Sequence, residues 1–150
     1  MRVGEICSRS VSDVLPDVSI LEASRRMREE HVGDLVVVEQ RGGRRVPIGV
    51  LTDRDIVVGI LAKDGAHAHT LNVGDVLTGT LVTATEDEDL DAVLARMRRF
   101  GVRRVPVLDE HGGLGGILAV DDVLVALADE FREVASLVAR QSERERERRP

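Results

Sequence analysis

Apolar and polar positions along the chain follow two periods, and the same succession of periods occurs twice. Positions 90, 93, 94 and 97 are Leu, Val, Leu and Met, and positions 20, 23, 24 and 27 are Ile, Ala, Ser and Met. This i, i+3, i+4, i+7 spacing predicts an amphipathic helix at each place. Ahead of them lie β-like stretches, Val11 to Leu15 and Leu81 to Thr85, followed by Asp17 and Ser19 or Asp87 and Asp89. Carboxylates and hydroxyls suit a helix start, where backbone amides have no partner within the helix. After each helix an unbroken apolar run, Leu35 to Val38 or Val105 to Leu108, predicts a strand covered on both faces. Glycine-containing turns follow, with Gln40 to Arg45 as the longer hairpin connection and Glu110 to Gly113 as the shorter. A second strand, Ile48 to Leu51 or Gly116 to Leu118, leads into a second helix. In the first copy that helix carries Ile56, Val57, Ile60 and Leu61 and fades at Asp64-Gly65, leaving residues 66–70 as a connector.

The recurrence extends to residue identity. Val3-Gly4-Glu5-Ile6 returns as Val73-Gly74-Asp75-Val76, 70 positions on, and Met27, Val32 and Val37 return as Met97, Val102 and Val107. Past a shortened turn the offset falls to 67, so that Gly49 matches Gly116 and Asp55 matches Asp122. Internal repeats decide what the folding unit is. The expected fold class is α/β (α+β): two tandem β-α-β-β-α repeats, residues 1–70 and 71–132, packed with pseudo-two-fold symmetry. One unit alone has too small a core to stand unaided. The last helix outruns its counterpart, with Leu124, Leu127, Phe131, Val134 and Val138 at spacings of 3, 4, 3 and 4. That short heptad seam predicts burial against a second chain, a homodimer. Residues 133–150 form a charged helical extension whose end, from Ser142, has no apolar residue.

Composition narrows the function classes. Of 150 residues, 43% are hydrophobic and 32% charged, as in a globular protein, but only 1% are aromatic and the net charge is −6. Base-stacking platforms need exposed rings, and nucleic-acid binders carry a basic balance, so neither is expected. No apolar run approaches a membrane span, and the expected location is cytoplasmic. The single cysteine, Cys7, rules out an intramolecular disulfide and reads as a buried apolar residue. His67 and His69 stand two apart in the connector without visible further ligands, so no metal is expected. No Ser/His/Asp arrangement or close carboxylate pair recurs at a cleft, and an enzyme is not expected.

The chemistry concentrates in Gly49-Val-Leu-Thr52-Asp-Arg-Asp55-Ile56, where a strand gives way to a helix. Thr52 and Asp55 have the spacing of a capping box, which needs no ligand. In the second copy the hydroxyl is replaced by Ala119 while the carboxylate persists as Asp122. A carboxylate also suits a ribose diol, since its oxygens can accept from both hydroxyls. Gly, two apolar residues, Thr, two variable residues and Asp before an apolar helix resembles the ribose-binding motif of cystathionine β-synthase (CBS) domains. With the strand signature Val102-Arg103-Arg104-Val105-Pro106-Val107 and the methionine-ended helices, the resemblance covers roughly residues 1 to 132.

Two such domains in tandem form a Bateman module, whose clefts bind adenosine-containing ligands. The resemblance assigns Thr52 and Asp55 to one cleft and Asp122 to the other, with Ala119 departing from the pattern. It also implies that Arg103 and Arg104 meet the phosphate in the Asp55 cleft, while Gly33 and Asp34 hold the equivalent place toward the Asp122 cleft. Two guanidiniums chelate a phosphate, whereas a carboxylate repels it. The expected function is a regulatory module sensing an AMP-, ADP- or ATP-type ligand as a bound signal, with no catalytic cofactor. Its change in shape or assembly would be read by a separate protein partner. The alternative is a ligand-independent dimeric scaffold with vestigial clefts.

Overall fold

The computed structural model describes residues 1–149. The first repeat runs through α1 (Val3–Ile6), β1 (Asp13–Val14), α2 (Ile20–Glu30), β2 (Asp34–Arg41) and β3 (Arg44–Thr52). A π-helical segment, Asp55–Leu61, then continues as α3 (Ala62–Asp64) and a 3-10 turn, Gly65–Thr70. The second repeat has α4 (Val73–Val76), β4 (Ala84–Thr85), α5 (Leu90–Phe100), β5 (Arg104–Leu108), β6 (Leu114–Ala119) and α6 (Val120–Arg148). Each repeat holds one three-stranded sheet, ordered β1-β2-β3 or β4-β5-β6. In each, the first pair is parallel and the second antiparallel, with a bulge at the matching places Val37/Val38 and Val107/Leu108.

The amphipathic helices stand where their spacing predicts, with Ile20, Ala23 and Met27 or Leu90, Val93 and Met97 buried. Ser19 caps α2 by accepting from the Glu22 amide at 3.1 Å. The predicted β-like stretches shrink to the two-residue strands β1 and β4, because each pairs along one edge only and then turns away. The hairpin lengths are the reverse of expectation. β2 and β3 stay paired to Arg41 and Arg44, so their connection is only Gly42-Gly43, both at positive φ (57° and 76°). That two-glycine geometry makes the tightest hairpin loop. The second connection is wider, because the Asp109 carboxylate gathers the amides of His111 (2.8 Å) and Gly113 (2.9 Å).

The packing explains why Val-Gly recurs at positions 3 and 73. Val3 is wholly buried, in the core of the second repeat beside Val93, Val105 and Leu118. Val73 is wholly buried in the core of the first, beside Ile20, Leu35 and Leu51. The two lead-in helices are thus exchanged. The Val3 amide donates to Glu88 O (3.0 Å) and the Gly4 amide to Glu86 O (2.9 Å); Val73 and Gly74 repeat the pattern on Val18 O and Pro16 O, both at 2.8 Å. The glycines permit this approach, since a Cβ at Gly4 would lie 3.0 Å from Glu86 O and one at Gly74 3.1 Å from Pro16 O.

α6 is 29 residues long, and beyond Val123 only Ala126 is half-buried against the chain. Leu124, Leu127, Phe131, Val134 and Val138 are all exposed, Phe131 by 76%. Val57, Val58 and Leu61 of the π-helical segment are exposed as well. Among the described residues, no helix is long and apolar enough to cross a membrane.

Candidate functional site

A cleft of about 890 Å³ opens between the repeats and is lined by Thr52, Asp55, Arg103 and Arg104, but not by Asp122. β3 ends at Thr52, and the helix that follows begins with a reciprocal cap. The Thr52 amide donates to Asp55 Oδ2 at 2.9 Å, and the Asp55 amide donates to Thr52 Oγ1 at 3.1 Å. The capping reading of this motif is therefore realised, and Asp122 shares it by accepting from the Ala119 amide at 3.1 Å. Persistence of the carboxylate in the second repeat is accounted for by capping alone. The cap uses one oxygen of Asp55, and its side chain remains exposed. Thr52 Oγ1 accepts in the cap and keeps its own proton to donate.

The π-helical stretch after Asp55 bonds in wide turns, with the Ala62 amide reaching Val57 O five residues back. Its Ile56 and Ile60 are buried. Such widened turns recur at functional sites, where they re-aim a helix start.

One wall of the cleft is apolar, formed by Ile48, Val50, Leu77, Leu81, Val82 and Val102. Thr78 and Thr80 add hydroxyls from the lead-in of the second repeat. Sequence reasoning missed residues 77–82, although their alignment with the lead-in of the first repeat was a usable signal. Arg103 lines the same cleft, with its side chain 82% exposed and 3.9 Å from Asp121. Asp34 lies in this same cleft rather than in one with Asp122, and its carboxylate forms an ion pair with Arg104. Register explains the placement, because Asp34 pairs with Thr52 across β2 and β3.

Around Asp122 the lead-in of the first repeat runs against β6. Ser8 bridges Ile117 through two backbone bonds of 2.9 Å, and a Cβ at Gly116 would lie 2.9 Å from Ser8 O and 3.1 Å from Cys7 Sγ. Arg9 pairs with Glu86 and donates to Gly115 O at 3.1 Å. The hydrogen bond from Arg9 holds the Glu86 carboxyl below its ordinary range, while burial pushes the Cys7 thiol up. The corresponding bridge from Thr78 to Val50 is not among those of the described residues. The two inter-repeat regions therefore differ in backbone as well as in side chains.

Comparison with known proteins agrees with this architecture. The CBS domain profile matches residues 3–62 and again 73–129. MK0525 of Methanopyrus kandleri is 30% identical over 122 residues, 81% of this chain but only 60% of that protein. The CBS domain-containing protein YhcV of Bacillus subtilis is 33% identical over 123 residues, 82% of this chain and 83% of YhcV. Among solved structures, the CBS domain pair of protein MJ0100, in complex with methylthioadenosine and S-adenosyl-L-methionine, superposes with a TM-score of 0.73. It is 25% identical, over 87% of this chain and 98% of that one.

Proposed function

The chain belongs to the CBS-domain family, as a tandem pair of repeats, and from that premise we propose that it is a regulatory module for an adenine nucleotide. AMP, ADP or ATP is held in the open cleft, and binding is signalled to a separate protein by a change in shape or assembly. The observation that carries this reading is the convergence of Thr52, Asp55 and Arg103 on one open cleft with an apolar wall. The wall offers a dry face to the base. Asp55 accepts from the ribose diol, and Thr52 and Arg103 donate to the phosphate side. The adenosine ligands of the MJ0100 domain pair support the same ligand class here. Nothing in this use requires a bond to be broken, so the ligand is held rather than turned over.

Binding favours one arrangement of the repeats only by its difference in affinity between the two states. The exposed seam of α6 supports assembly as the readout, with a second copy of this chain as its first partner. One observation favours a second reading, a dimeric scaffold with vestigial clefts. Capping and the Asp34–Arg104 pair already engage part of the polar capacity of Thr52, Asp55 and Arg104 without a ligand. Thermal unfolding with and without millimolar AMP, ADP, ATP, NAD or S-adenosylmethionine separates them. A sensor melts higher with at least one of these, and a scaffold melts at one temperature throughout.

A further inference from the structure

Asp34 and Arg104 occupy the same position of the two repeats, 70 residues apart, and the pseudo-two-fold packing sets these positions against each other. Two arginines or two aspartates there would repel across the axis; the chain places one of each. The Asp34 side chain is 9% exposed and that of Arg104 39%. Asp34 is therefore nearly withdrawn from water, with Arg104 as its partner among the described residues. The cleft also holds Asp53, Asp55 and Asp121 against Arg54 and Arg103, so its carboxylates outnumber its guanidiniums.

A phosphate entering this cleft can use Arg103 at once, since that side chain points largely into solvent. Arg104 gives its Nη1 to Asp34 and has Nη2 4.0 Å from Asp121, so its charge is already offset where a phosphate would use it. Uncharged adenosine makes no use of that charge. We propose that Asp34 is the specificity-determining residue for the charge of the ligand. By pairing with Arg104 across the boundary between the repeats, it offsets the charge of one of two phosphate donors and keeps the preference for nucleotide over nucleoside small. This rests on the adenine-ligand reading above and adds to it which residue sets the balance between phosphorylated and unphosphorylated ligands.

The test is calorimetry of the full chain with adenosine and AMP. Asp34→Asn keeps the shape of the side chain and removes the charge that offsets Arg104. The ratio of AMP to adenosine affinity should rise by about tenfold or more over wild type, the worth of one charge-assisted contact. Adenosine affinity itself should stay within about threefold, because the base and ribose contacts are untouched. Asp34→Ser removes the same charge with a smaller side chain, and melting of the ligand-free protein verifies that each variant folds. Asp34→Ser should raise the affinity ratio as Asp34→Asn does. If adenosine binds and Asp34→Asn leaves the ratio unchanged, Asp34 does not set it and the inference fails alone. Should Asp34→Asn not fold, Asp34→Ser decides: a raised ratio supports the inference, and an unchanged ratio overturns it. A wild type that binds neither ligand overturns the adenine reading and this inference together.

Discussion

At the scale of single residues, Asp55 carries two duties that one substitution separates. Asparagine at 55 can still accept from the Thr52 amide, so the cap survives, but it cannot accept from both ribose hydroxyls. Ligand at about 100 times its dissociation constant should stabilise the wild type by roughly 2.7 kcal/mol. Asp55→Asn should lose most of that gain while its ligand-free melting temperature barely moves, as scanning calorimetry with and without AMP will read. The acidic side chains make a second residue-scale prediction. Backbone amides of Gly113 and His111 hold the Asp109 carboxyl below its ordinary range, Arg9 does the same for Glu86, and the Thr85 hydroxyl for Asp87. A depressed folded pKa stabilises above the unfolded value and is lost as pH falls through the folded one. The melting temperature should therefore be level from neutrality down to about pH 5 and fall below about pH 4. A melting temperature that rose below pH 4 would contradict these assignments.

The spacing of Thr52 and Asp55 made this site legible in the sequence, because a cap and a diol acceptor need the same residue types. Asp34 was legible as the counterpart of Arg104 but not as its contact. An alignment offset identifies equivalent positions and says nothing of which ones lie on the symmetry axis.

At the scale of elements, the helices with 3.6-residue periodicity were readable, and the elements set by backbone geometry were not. α2 and α5 follow from their apolar stripes. The π-helical widening after Asp55 has no comparable signature, and the tight Gly42-Gly43 loop reads as a long connection until φ is known. The lead-in helices carry the clearest test of packing at this scale. Gly74→Ala puts a methyl 3.1 Å from the Pro16 carbonyl, a backbone atom that can yield little. It should cost roughly 1–3 kcal/mol. Gly59→Ala is the control, for its added methyl meets nothing within 4 Å, and in a helical segment it should gain up to about 1 kcal/mol. Chemical denaturation of the two variants measures both; equal stabilities would mean the close approach of α4 is not a constraint.

At the scale of the whole molecule, the apolar seam of α6 predicts association. Leu124, Leu127, Phe131, Val134 and Val138 recur, all exposed, along a helix whose last buried residue is Val123. Light scattering at micromolar concentration should report a dimer. Phe131→Asp with Val134→Asp should weaken it by several kcal/mol, because each aspartate would be buried unpaired. A monomeric wild type would refute the assignment. The heptad spacing made this face legible early, since no stretch of similar length in the first repeat could cover it. Which core each lead-in joins was not legible. Hydrophobic pattern tells which residues leave water, and Val3 and Val73 fit either core equally well on that ground.

The exchanged lead-ins change what it means to divide this chain. A protease cutting in the exposed connector Gly65–Thr70 would not release two domains, because the amino-terminal fragment keeps Val3 in the other fragment's core, and Val73 is held in return. The fragments would be interlocked like clasped hands, each completing a core the other cannot close. Nicked protein should thus travel as one particle, and separately made halves should be poorly folded until mixed. Because each core includes a residue of the other repeat, a shift of one half should be felt directly in the other's interior.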